Sequence, residues 1–114
     1  MQNLIVWADI PVTDLDRAME FYAAVLQREF ARVEGMDGIA LPAAQDEADP
    51  TQQEWPVAFD LVVAEQTKPS MDGCTIYLES GGDAEGMLQR AAGAGGEILM
   101  PATFMGGMVG TIGV

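Results

Sequence analysis

A chain of 114 residues, 49% of them hydrophobic, can build one hydrophobic core but not two, so a single domain over 1–114 is expected. Its 18 acids against 5 bases give a formal charge of −13, which repels phosphate backbones and anionic membrane surfaces and argues against nucleic acid or a membrane as partner. The lone Cys74 leaves no intrachain disulfide or thiolate cluster, no apolar run nears the ~20 residues of a membrane span, and the opening stretch lacks the basic start of a signal peptide, so a cytoplasmic location is expected.

The first element is a strand. Leu4, Val6, Ala8 and Ile10 alternate with Ile5, Trp7, Asp9 and Pro11, which puts an aliphatic row on one face and a mixed row on the other. Thr13 or Asp14 can cap a helix start, and Asp14 and Asp16 place negative charge where the helix dipole favours it. Leu15, Ala18, Met19, Tyr22, Val25 and Leu26 follow at helical spacing, so a helix is expected to lay this stripe back onto the strand. Its exit falls on Gln27, where a glycine would adopt a left-handed conformation at less cost.

Residues 27–33 read as a second strand with Phe30 as its chief apolar member, 35–38 as a hairpin turn, and 39–41 as a third strand. The acidic stretch 42–56 reads as a solvated loop. Its Asp46, Glu47 and Asp49 lack the glycine and the terminal glutamate of a calcium loop. Residues 57–64 (VAFDLVVA) form the clearest strand after the first, with Asp60 among apolar neighbours.

A looser copy of this pattern follows. A strand is expected over 74–79, with Ile76 and Leu78 on one face and Thr75, Tyr77 and Glu79 on the other. A helix over 84–92 then turns Met87, Leu88 and Ala91 inward and stops at Gly93, Gly95 and Gly96. Residues 97–100 read as a strand, 101–107 as a loop and 108–114 as a final strand. Trp7 to Thr75 spans nearly the same distance in sequence as Asp14 to Asp83, which supports two βαβββ units, 1–66 and 67–114. Met100, Met105 and Met108 with Gly106, Gly107, Gly110 and Gly113 read as core filling and turns rather than as a pocket lid or a strand exchanged in a dimer. FMGGMVG is no phosphate loop, because it lacks the Lys and the Ser/Thr.

The opening strand, then P-V-x-D-L-x-R-A at 11–18, Phe21-Tyr22 and Val25-Leu26, resembles the start of the vicinal oxygen chelate superfamily of glyoxalases, bleomycin-resistance proteins and dioxygenases. T-I-Y-L at 75–78, A-G-A-G-G at 92–96 and I-L-M-P at 98–101 fit the same family. The resemblance implies an α+β fold in which two βαβββ units form an open, curved mixed sheet. In that family one more strand closes the second unit, and it is missing here. An unpaired sheet edge would remain, so either a homodimer or a chain lacking its natural end is expected.

The resemblance also implies a divalent metal held by one residue from each of four strands. Those positions fall on Trp7, which cannot ligate, on Asp60, which can, on Thr75 or, one register away, Cys74, and on the missing strand. The chain has no histidine, the commonest ligand for such metals, and so no Ser/His/Asp or Cys/His catalytic set either. No metal cofactor is therefore expected, and no catalytic residue is assigned. An oxygen-only site from Asp9, Asp60 and Glu79 has no spacing signal behind it, and Cys74 reads as a small buried hydrophobe.

A pocket remains. If the strand parities hold, Trp7, Asp9, Asp60, Thr75, Tyr77 and Glu79 converge on one concave surface of aromatic walls and carboxylates, which suits a small, cationic or amphipathic molecule. The leading expectation is metal-independent binding or sequestration of such a molecule. The alternatives are a metal-dependent lyase of the lactoylglutathione-lyase kind or a dioxygenase, and a structural protein that uses its open sheet edge.

Overall fold

The computed structural model describes residues 4–5, 7–43, 58–107 and 110–114. The acidic loop expected over 42–56, with its three candidate calcium acids, lies almost wholly outside them. Five elements run β1 (Trp7–Pro11), α1 (Leu15–Leu26), β2 (Phe30–Arg32), β3 (Ile39–Pro42) and β4 (Ala58–Val62), which is the expected βαβββ order. The sheet order is β1-β4-β3-β2, with β1 parallel to β4 and the other pairs antiparallel. The fold is α+β, as expected.

Local chemistry explains these boundaries. Asp14 is extended and its Oδ1 accepts from the Arg17 N–H at 3.1 Å, which fixes the start of α1. Gln27 ends the helix in the left-handed region at φ 52°, with its N–H bonded to the Ala23 carbonyl, so this exit is made without glycine. Gly38 has φ 83°, and a Cβ there would meet the Val63 carbonyl at 2.8 Å. Glycine therefore lets the β2–β3 turn close against the end of β4.

The core lies between α1 and one face of the sheet. Leu15, Ala40 and Leu61 are buried, and Ile10, Val12, Met19, Tyr22, Phe30 and Phe59 pack around them. Tyr22, Phe30 and Phe59 form a mutual aromatic cluster with centroids 6.0–6.3 Å apart. Since side chains alternate along a strand, Trp7, Asp9 and Asp60 fall on the opposite face.

The second half departs from expectation. Residues 74–79 are irregular rather than a strand, because alternation sets the faces of a strand but cannot supply a ladder partner. Cys74 is exposed, not a buried hydrophobe, since no layer covers this stretch. α2 (Ala84–Gly93) forms as expected, capped by Asp83 accepting from the Gly86 N–H at 2.9 Å.

The strand expected over 97–100 reduces to bonds between Leu99, Met100 and Val114, because the following Pro101 has no N–H to continue a ladder. Instead a short hairpin pairs β5 (Thr103–Phe104), from the stretch read as a loop, with β6 (Thr111–Ile112), from the stretch read as the final strand. Gly106 and Gly110, at φ 112° and 83°, make its turn. Of the strand expected over 108–114, only Thr111–Ile112 is regular, and 108–109 lie outside the described residues. Gly96 joins the two halves, with its Cα so close to the Phe21 ring that a Cβ would sit 3.0 Å from it.

Candidate functional site

The start of β1, the end of α1 and the 75–80 stretch surround a cavity of about 800 Å³. Of the six residues singled out by strand parity, Trp7, Thr75, Tyr77 and Glu79 line it, together with Phe59 from the core. Trp7 is 44% and Tyr77 60% exposed, so neither is core filling. A second cavity of about 550 Å³ adjoins the same stretch and is lined also by Met87, Leu88 and Ala91 of α2 and by 111–114. These apolar side chains face a space rather than a packed sheet.

Asp9 and Asp60 are brought together, but outside the lining of either cavity. They are register partners on the parallel strands β1 and β4, about 4.8 Å apart across the sheet. Asp60 is 8% exposed and its Oδ1 has no hydrogen-bond partner, whereas Asp9 is exposed. Burial pushes the Asp60 carboxyl up to about 6, and the neighbouring Asp9 carboxyl adds to the rise by favouring a shared proton over two adjacent charges. The Trp7 indole pulls it back in part. Trp7 thus connects the carboxyl pair to the aromatic cavity.

The donor set does not fit a metal of the four-ligand kind. Trp7 has no lone pair to give, Thr75 and Asp60 line different surfaces, and among the described residues no three His, Cys, Asp or Glu side chains converge. Glu79, the third member of the oxygen-only alternative, turns its Oε1 to the Gly81 N–H at 2.9 Å.

The sequence reading missed Arg28, Arg90 and Phe59 as cavity residues. Arg90 reaches across from α2, and its Nε donates to the Val25 carbonyl at 3.0 Å, at the end of α1. A usable signal existed, since α1 carries no basic residue in its last turn, where a cation is favourable.

Comparison with known proteins agrees with the fold. A sequence model of the Glyoxalase/Bleomycin resistance protein/Dioxygenase superfamily matches residues 4–112. Among solved structures, the hypothetical protein SA1046 from S. aureus is similar with a TM-score of 0.61 at 14% identity, over 92% of this chain and 80% of that one, which shows the fold alone. No curated protein matches the chain.

Proposed function

Since the chain belongs to the Glyoxalase/Bleomycin resistance protein/Dioxygenase superfamily, we propose that it serves that fold's binding role without a metal, holding or sequestering a small organic molecule with cationic character. The observation that carries this reading is the cavity of about 800 Å³ walled by Trp7, Phe59 and Tyr77, a size that suits a drug-sized ligand. Trp7 supplies an aromatic ring, a group that attracts cations, to the lining while its indole adjoins Asp60, and Glu79 adds a carboxylate to the same lining. The charge of −13 draws cations toward the site from a distance.

The monocationic dye rhodamine B ethyl ester provides a direct test. Saturable binding by fluorescence anisotropy is expected, weakened at least about fivefold in Trp7→Ala, in line with the loss of one desolvated cation–aromatic contact. Absence of saturable binding would overturn the proposal. So would stoichiometric retention of Ni²⁺, Zn²⁺, Mn²⁺ or Fe²⁺ in elemental analysis, which would move the lyase and dioxygenase readings to the front.

A further inference from the structure

The chain has five basic residues, and two of them, Arg28 and Arg90, line the one cavity that also holds Trp7 and Tyr77. Arg32 is committed elsewhere, to a surface pair with Asp16.

Both arginines are set by the end of α1. Arg28 follows the left-handed Gln27, and its own N–H is bonded to the Ala23 carbonyl at 3.2 Å, so its side chain departs from a fixed point. Arg90 is anchored through Nε to Val25, which leaves the other four N–H groups of its planar fork.

Neutralising the carbonyl end of α1 explains the Arg90 Nε contact. It does not explain why a second guanidinium shares the cavity. Set against the half charge at the helix end and the single carboxylate of the lining, Glu79, two guanidinium charges leave the lining itself with a small positive excess.

We propose that the ligand is amphoteric: beside the cationic or aromatic body that rests on Trp7, it carries a carboxylate-like anionic group received by Arg28 and Arg90. This rests on the reading of the cavity as a ligand site and narrows it to one chemical class. Guanidinium groups bind planar anions through paired, charge-assisted hydrogen bonds, which gives orientation as well as affinity. Recognition of a cation by one part of the lining and of an anion by another would fix which way round the molecule lies.

The test compares rhodamine B, a zwitterion at pH 7.5, with its ethyl ester, which keeps the body and the cation and masks the carboxylate. Anisotropy titrations use the full chain and its Arg28→Gln and Arg90→Gln variants, each checked for fold by circular dichroism. The expected result is that the wild type prefers rhodamine B by about tenfold, the effect of one charge-assisted contact. Each variant should lose most of that preference while still binding the ester saturably, and at least as tightly as the wild type does, since a repelling cation has been removed.

Ester binding as tight as rhodamine B binding in the wild type would overturn the amphoteric assignment and leave the cavity reading intact. A preference that survives both substitutions would overturn it in the same way. Failure of both dyes to bind would overturn both readings. Should Arg90→Gln lose its fold, Arg28→Gln, which removes no side-chain hydrogen bond among the described residues, decides the question.

Discussion

At the scale of single residues, Asp60 is where fold and site compete. Burying a carboxyl with an unpartnered oxygen beside a second carboxyl is unfavourable for folding, and the molecule retains it on the face away from the core. Its folded-state value of about 6 lies above the ordinary 3.8, so the folded chain holds this proton more tightly than the unfolded one. Stability from this group is therefore greatest below about pH 4 and is lost as pH rises toward 6. Above that the group costs at most roughly 3 kcal/mol. Asp60→Asn should stabilise the protein by about 1–3 kcal/mol at pH 7.5 and by almost nothing at pH 4. Urea denaturation of both proteins at the two pH values measures this. A difference independent of pH would show that Asp60 is not held in its raised state. The same exchange should weaken binding of the cationic dye ester, separating a residue kept for stability from one kept for a ligand.

At the scale of elements, α1 has one well-made end and one strained end. The Asp14 cap satisfies an orphan N–H, so Asp14→Ala should cost about 1 kcal/mol, whereas Gln27→Gly should gain about 0.5–1 kcal/mol by relieving the left-handed conformation. Thermal melts of the two variants, shifting in opposite directions, check both ends. These features were legible in the sequence because they are local: a cap, a 3.6-residue stripe and a helix exit are all written within a dozen residues. For the same reason the first βαβββ order emerged correctly from alternation and turn glycines. The second half was not legible, because 74–79 has the period of a strand but its pairing depends on what lies beside it. The candidate site divides along this line. Trp7, Thr75, Tyr77 and Glu79 do line one cavity, but Ile76 and Leu78, which parity would have turned away, line it too, and parity could not show that Asp9 and Asp60 would pair with each other outside it. Nor could it foresee Arg90, which reaches the site from a helix 65 positions away from its partner Val25.

At the scale of the molecule, the same non-local pairing has an outlet between copies. β1 is an edge strand of the four-stranded sheet, and among the described residues 74–79 exchange no backbone hydrogen bonds. Ile76, Tyr77, Leu99, Phe104 and Met105 are all exposed in this half, apolar surface that a partner copy could cover. Opposing this, two copies at −13 each repel one another, and that repulsion is long-ranged only at low ionic strength, where the screening length is about 30 Å at 0.01 M and about 3 Å at 1 M. We therefore propose a homodimer whose association strengthens with salt, the reverse of an interface built on ion pairs. Sedimentation velocity at micromolar concentration should show a shift toward dimer as NaCl rises from about 0.01 M to about 0.5 M. Ile76→Lys should shift it back at every salt concentration, because it places a charge on an edge that must be desolvated to pair. A chain that stays monomeric throughout, or a dimer that salt dissociates, would refute association through this apolar edge.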